Sequence, residues 1–324
     1  MDGGRGLAIA LMAGVLALSW IERRSAFAEA LRGGRPCLGW LALQGAPADP
    51  IRGGAPALFL AVYQPGRRTL DLVHLPGSTR AKGGRSLDAA YAAALKQGAG
   101  PAGATARMAR AAGAYLAPLV PAWKDWDGLP VWHGECPSLT DDPPLDAREW
   151  LLRRTAGPRL WSGLIRAAAQ GRRPSPGWPP LDAFLLAGEL HRLPPEALRP
   201  AWLPPEDRVG AVFGRYLSPA AAPPPTGNPT VEVLNASLRP GIASRAKNML
   251  RLQGADVMSV GNAGLGRAGG PRVRTIVYDR VGRFENAAAV RRMLGCPAAR
   301  ALTQVDLKRL VDVTVVLAED CPLP

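Results

Sequence analysis

The stretch TVEVLNASLRPGIASRAKNMLRLQGADVMSVGNAG, residues 230–264, contains the patterns of a strand, a turn, a helix and a second strand in that order. Apolar residues alternate over residues 231–235, as they do in a half-buried strand. From Ile242 to Leu250 they recur at helical spacing instead, and Gly254 ends that pattern. The stretch therefore predicts a β-α-β unit whose helix packs its apolar side against a sheet.

The residues after this unit continue the same kind of structure. Further strand patterns occupy residues 256–260, 274–279, 302–305 and 312–317. A second helical pattern runs from Phe284 to Leu294. This order predicts a small α/β sandwich with two helices on one face of the sheet.

The turn before the first helix does not fit a nucleotide-binding loop. Such a loop places several glycines, or a Gly-Lys pair, between a strand and the helix N-terminus. The turn NASLRPG has one glycine, Gly241. The glycine-rich run GNAGLGRAGG, residues 261–270, lies between two strands and predicts a flexible hairpin loop.

The whole C-terminal pattern resembles the LytR C-terminal domain. Asn235 stands at the family's strand-end Asn, and Gly241-Ile242-Ala243 stands at its helix start. The run VDVTVVL, residues 311–317, is similar to its closing strand, whereas Ala236 replaces the usual Gly. The resemblance covers residues 231–320. It implies a module without established catalytic residues that commonly follows a LytR-CpsA-Psr domain in envelope proteins.

The first half is similar to that LytR-CpsA-Psr domain in the order of its patterns. Residues 37–45 predict a strand, 57–80 a hairpin and 85–98 a helix. Residues 148–166 resemble the family's Arg-rich run, and residues 181–204 its late helical region. The resemblance implies an α/β/α domain over residues 35–217.

Several positions depart from the motifs of this second family. Pro76 is kept, but Gly77 and Ser78 stand where the family has Arg and Asp. Asp88 occupies the position of the Asn at the helix start, and the usual metal-binding Asp before the hairpin is missing. The resemblance therefore implies a decayed transferase centre.

The family moves a polyprenyl-pyrophosphate-linked glycan onto peptidoglycan. Pyrophosphate needs guanidinium groups and magnesium needs carboxylate oxygens. The arginines that could substitute are Arg80, Arg85, Arg153, Arg154 and Arg159. Asp88 could give polar support, although each of these side chains is also typical of a solvated surface. No catalytic residue or metal ligand is assigned, and no cofactor is expected unless transfer occurs with Mg²⁺.

The N-terminus predicts export. Residues 7–21 are uncharged and apolar, but they are shorter than the roughly 20 residues that a spanning helix needs. Ala26-Phe27-Ala28 resembles a signal-peptidase site. Residues 1–28 therefore predict a signal peptide or signal anchor, with a buried N-terminal helix as the alternative. The protein is expected in the cell envelope, on the extracytoplasmic side.

A proline-rich segment, residues 218–230, predicts a linker between the two domains. The chain has four cysteines and no CxxC motif, which disfavours a zinc or redox site. Export permits disulfides. The candidate pairs are Cys37 with Cys136 and Cys296 with Cys321, and four free thiols are the alternative.

Three functions remain open from the sequence. A non-catalytic binding or scaffold protein, whose partner is a cell-wall polymer or envelope protein, predicts a filled or shallow site. An active phosphotransferase with displaced arginines predicts an apolar tunnel with several arginines and a carboxylate at its mouth. The net charge of +14 suggests an anionic polymer as a third partner. Nucleic acid is disfavoured, because the chain lacks the motifs of known nucleic-acid binders.

Overall fold

The computed structural model describes residues 25–45, 54–81, 83–140, 142–155, 180–218, 227–263 and 274–323. The first half of the chain contains α1 (Ala26–Arg32), β1 (Cys37–Gln44), β2 (Ala57–Gln64), β3 (Thr69–Leu75), α2 (Leu87–Lys96), α3 (Pro101–Leu116), β4 (Val131–Glu135), α4 (Pro143–Thr155), α5 (Pro180–His191), β5 (Leu198–Trp202) and α6 (Glu206–Leu217). The second half contains β6 (Thr230–Asn235), α7 (Ile242–Leu252), β7 (Asp256–Asn262), β8 (Ile276–Asp279), α8 (Phe284–Met293), β9 (Arg300–Thr303) and β10 (Val313–Leu317).

All ten strands belong to one sheet, in the order β4-β1-β2-β3-β5-β9-β8-β10-β6-β7. In the first half β2 is antiparallel to β1 and β3, while β3 and β5 are parallel. In the second half β6 is parallel to both β7 and β10. The β5–β9 ladder, whose register pair is Ala201 with Thr303, joins the two halves.

Alternation along the strands separates two cores on opposite faces of the first half. On one face Leu60 and Val73 pack against α2, α3 and α6. On the other face Phe59 and Leu72 pack against α4 and the residues that follow α5. Since helices cover both faces, the first half is a three-layer α/β/α arrangement.

The second half has both of its helices on one face of the sheet. Val233, Val277 and Val315 point to this face, where α7 and α8 bury them. The opposite face carries a smaller core that includes Leu302 and also Leu145 of α4, so the first half covers part of it. The predicted mixed α/β chain with a small C-terminal α/β module is confirmed.

One element of the first half differs from the sequence prediction. Residues 198–202 lie in the region expected to be helical, but they form β5. Prolines explain the difference: Pro194 and Pro195 interrupt the helical pattern, and Pro200 has no N–H for a helix interior. The prediction of a helix there was wrong, and the strand concerned is the one that joins the halves.

Side chains reinforce this junction between the halves. Arg199 of β5 binds Glu285 of α8, with Nη1 and Oε1 2.8 Å apart. Arg215 of α6 donates to the carbonyl oxygens of Gly282 at 3.1 Å and Val281 at 2.9 Å. The division into a domain over 35–217 and a domain over 231–320 remains a prediction, and most of the predicted linker, residues 219–226, lies outside the described residues.

The predicted signal segment also lies outside the described residues, except for its last four. Ser25 caps α1 by accepting from the N–H of Ala28 at 2.8 Å, and its hydroxyl donates to Asp182 at 2.5 Å. Phe27 and Ala28 are buried. In the part of the chain that the structure describes, no helix is both long enough and apolar enough to cross a membrane.

Candidate functional site

An apolar cavity of about 220 Å³ lies between the sheet and the helices α1, α4 and α5. Period-two alternation brings the sheet residues to it, because every second side chain of a strand points to the same face. These residues are Cys37, Leu41, Ala61, Tyr63, Leu70 and Leu72. The cavity is therefore built into the core of the first half.

The helices close the cavity with apolar side chains at helical spacing. Leu151 and Thr155 are four residues apart on α4 and therefore share one face. Leu186 and Leu190 have the same spacing on α5, and Phe27 of α1 completes the lining on this side. The helices thus form a mostly apolar wall with few hydrogen-bonding groups.

Two tryptophans form another part of the wall. Trp132 of β4 and Trp150 of α4 both line the cavity, and the Trp150 Nε1 donates to the carbonyl of Glu135 at 2.7 Å. Gly134 leaves room for this ring, since a Cβ there would collide with Trp150 and approach Leu43 to 2.9 Å. The glycine in β4 therefore allows α4 to lie close to the sheet.

The polar groups at the cavity are poorly suited to nucleophilic chemistry. Burial raises the pKa of the Cys37 thiol to about 12, so it stays protonated at neutral pH. Burial and the hydrogen bond to Glu189 raise the pKa of Tyr63, whose hydroxyl donates to that carboxylate. Burial lowers the pKa of His133, which favours its neutral form.

Arg154 is the one candidate arginine that lines the cavity among the described residues. Its guanidinium carbon lies 4.9 Å from the centre of the Trp150 ring, at a cation–π distance. The residue as a whole is exposed, so the charge lies at the border of the cavity and remains solvated.

The other candidate arginines do not join it. Arg80 and Arg85 lie together in the turn before α2, where Ala81 N–H donates to the Arg85 carbonyl at 2.9 Å. Strands β1 and β3 run in the same direction, since both are antiparallel to β2. The turn with Arg80 and Arg85 follows the C-terminal end of β3, whereas Cys37, which lines the cavity, lies at the N-terminal end of β1. Seven residues of strand separate the two ends by roughly 23 Å. Arg153 is exposed on α4, and Arg159 lies outside the described residues.

The structure gives a physical reason for the departure at Gly77. The Asp88 carboxylate lies against the Gly77 backbone, and a Cβ at position 77 would collide with it. The Asp88 N–H also donates to the Gly77 carbonyl at 3.0 Å. An arginine at position 77 would thus require the Asp88 side chain to move, and the role of Asp88 as polar support for a ligand stays a prediction.

One of the two predicted disulfides cannot form in this fold. The N–H of Cys136 donates to the carbonyl of Gln44 at the end of β1, whereas Cys37 begins that strand. The two cysteines are therefore about 23 Å apart, and a disulfide needs Cα atoms within about 7 Å. The prediction of a Cys37–Cys136 pair was wrong.

The second cysteine pair is in contact. Cys296 and Cys321 are buried free thiols that hydrogen-bond to each other, and that bond together with burial raises the pKa of Cys321. A disulfide between them stays a prediction. Within the described ranges no three His, Cys, Asp or Glu side chains converge in a way that would hold a metal ion.

Comparison with protein families identifies the second half. Residues 228–320 match the family model LytR_C, which is described as LytR cell envelope-related transcriptional attenuator. These residues form a LytR_C domain. The match spans 93 of the 324 residues and does not include the cavity. No curated protein and no solved structure matches the chain.

The family match confirms the resemblance proposed for the second half. The LytR-CpsA-Psr-like origin of the first half remains a prediction. The sequence did not single out the residues of the cavity wall, Leu70 and Leu186 among them. Alternation and helical spacing indicate which side chains face inward, but a filled core and a hollow core have the same pattern.

Proposed function

We propose that the protein is a cell-envelope binding protein that holds the apolar part of a lipid carrier without transferring its headgroup. The observation that carries this proposal is the apolar cavity, at whose border the described part of the chain places one guanidinium group, that of Arg154. The LytR_C domain supports a place in the envelope, because the family description refers to the cell envelope. The apolar N-terminal segment supports export and contact with the membrane.

The size and lining of the cavity suit part of a hydrocarbon chain. An apolar cavity of about 150 Å³ is already large enough to stay dry and bind benzene. At about 220 Å³ this cavity offers room for several isoprenoid carbons, among Leu41, Leu72 and Leu186. Removing apolar surface from water would supply the binding free energy, at about 25 cal/mol per Å².

The distribution of charge argues against phosphotransfer at this cavity. Stabilising a pyrophosphate in its transition state needs several preorganised donors around it. Among the described residues Arg154 is the one arginine that lines the cavity, while Arg80 and Arg85 lie at the opposite end of the sheet. Tyr63, which lines the cavity, donates its hydroxyl to Glu189, so the two groups satisfy each other. Binding without chemistry therefore fits the arrangement best.

The test uses the full chain, purified in mild detergent, with polyprenyl pyrophosphate and Mg²⁺. We expect saturable binding without release of phosphate or transfer of the headgroup. Binding is followed by the change in tryptophan fluorescence, to which Trp132 and Trp150 of the cavity wall contribute among the nine tryptophans of the chain. The variant Ala187→Phe adds a ring into the cavity and should weaken binding by about tenfold or more.

The matched control is Ala89→Phe, which makes the same change at an exposed position of α2 and should bind like the native chain. Phosphate release by the native chain would establish the transferase alternative instead. Equal binding by Ala187→Phe and the native chain would show that the cavity is not the site.

A further inference from the structure

A cleft lies where the two halves meet, and four of the ten residues that line it are arginines. It is formed by α4 and the segment before β5 from the first half, and by α8 and β9 from the second. Its charged residues are Arg148, Arg291, Arg292, Arg300 and Glu196. Four guanidinium groups thus face one carboxylate in a space shared by both halves.

Arg148 is fixed in this cleft by the backbone. Its Nε donates to the carbonyl of Leu198 at 3.1 Å, and its Nη2 donates to the carbonyl of Pro195 at 2.7 Å. Burial lowers the pKa of Arg148, and the positive charges of Arg300 and Arg291 lower it further. The like charges are therefore close enough to interact.

Arg300 approaches from the other half of the chain. Its Nη1 donates to the carbonyl of Ala298 at 2.6 Å, which fixes the guanidinium beside the cleft. Its buried Nε makes no hydrogen bond in the described part of the chain, although Glu149 Oε1 lies 3.5 Å away. This carboxylate is also shared with Arg274 at 3.6 Å.

Three of the arginines, Arg148, Arg291 and Arg292, make no ion pair with a carboxylate of the described residues, although Glu149 and Glu196 are near enough to Arg148 to affect its pKa. Among the described residues, no carboxylate lies within 4.0 Å of Arg148, Arg291 or Arg292 in an ion pair. Arg148, Arg291 and Arg300 are half-buried and Arg292 is exposed, so repulsion among the first three is the less screened and is relieved when an anion accompanies them. The cleft therefore carries an excess of positive charge that its own carboxylates do not neutralise.

We propose that this cleft is a binding site for a phosphate-type oxyanion. Arginine is suited to this role because its planar fork binds phosphate oxygens in pairs, and several forks suit a multiply charged group better than a single carboxylate. The cleft volume of about 50 Å³ is several times the 10–15 Å³ that one water molecule needs. That space leaves room for a phosphate group among the guanidinium groups.

The site is distinct from the apolar cavity and does not depend on its role. It requires both halves of the chain, since Arg148 belongs to α4 and Arg291 to α8. The phosphate could belong to inorganic phosphate or pyrophosphate, or to the headgroup of a lipid. Both sources offer the same oxygens to the arginines.

The experiment measures binding of inorganic pyrophosphate to the full chain by calorimetry at low ionic strength. The variant carrying both Arg291→Gln and Arg292→Gln should lose about tenfold or more in affinity, because hydrogen bonds to charged groups are lost. These two side chains make no ion pair in the described structure, and their removal relieves repulsion, so the melting temperature should not fall. Arg245→Gln, at an exposed position of α7, removes one positive charge outside the cleft and should bind like the native chain.

A parallel titration with dihexanoyl phosphatidylglycerol, and with dihexanoyl phosphatidylcholine as the neutral control, separates the two sources. Loss of phosphatidylglycerol binding in the double variant would assign the site to a lipid headgroup. Loss of pyrophosphate binding alone would assign it to free phosphate. The proposal is overturned if the native chain binds neither probe, or if the double variant and Arg245→Gln behave alike.

Discussion

Replacing Asp71 by asparagine is expected to flatten the pH dependence of the free energy of unfolding. Asp71 lies on β3 and is 3% exposed. It stands beside Arg199 in the ladder between β3 and β5. Burial raises its pKa to about 7, Arg199 and Arg67 oppose this rise, and Glu285 adds to it. The carboxyl is therefore protonated in the folded protein at pH values where the unfolded chain carries a charge.

The sign and size of the effect follow from this difference in pKa. Between pH 4 and 7 the folded state binds a proton at Asp71 that the unfolded state has released, so stability falls as the pH rises. A shift of about three pH units corresponds to roughly 4 kcal/mol. Asparagine has no such titration, so Asp71→Asn should be more stable than the native chain at pH 8 by up to a few kcal/mol.

The assay is urea unfolding, followed by circular dichroism, at pH 5, 6, 7 and 8. Asp207→Asn is the matched control, since the Asp207 side chain is 72% exposed and should leave the pH profile unchanged. Some slope should remain in Asp71→Asn, because burial also raises the pKa of Asp279 to about 6. Parallel pH profiles for the native chain and Asp71→Asn would refute the reasoning.

Two further predictions concern the junction between the halves and the second half itself. Arg215→Met removes the hydrogen bonds to Val281 and Gly282 and should lower the free energy of unfolding by about 2 kcal/mol. Urea titration measures this loss, and an unchanged midpoint would show that these bonds do not stabilise the junction. Mild oxidation should join Cys296 and Cys321 and raise stability by about 3 kcal/mol, since the closed loop has about 25 residues. A calorimetric scan measures this rise; Cys321→Ser should abolish it, and an equal rise in that variant would contradict the pairing.

The sequence predicted the second half well, because its information is local. Residues 242–252 form the expected helix, and residues 256–262 the strand after it. The spacing of apolar residues and the glycine that ends the helix can both be recognised from residues within a few helical turns. The same local logic failed at residues 198–202, where a short apolar run beside prolines could be read as the end of a helix.

The joint sheet and the two proposed sites depend on contacts between distant residues. The pairing of Ala201 with Thr303 joins residues that are 102 positions apart, and the periodicity of the sequence does not predict such a pairing. Arg148 and Arg291 likewise meet only because β5 and β9 are neighbours. Of the candidate arginines, Arg154 lines the cavity. The sequence did not distinguish it from the other candidates, because an exposed arginine on a helix has the same pattern whether or not it borders a cavity.

The uninterrupted sheet sets a fixed span across the molecule. Nine gaps between ten strands, at about 4.8 Å each, place the outermost strands β4 and β7 roughly 43 Å apart. A tether of flexible chain would allow that separation to vary, whereas a hydrogen-bonded ladder keeps it nearly constant. A force applied to β4 or β7 would therefore be transmitted through the sheet and would act on the pairing between β5 and β9. Mechanical unfolding should begin at that seam, where the ladder has its fewest pairs.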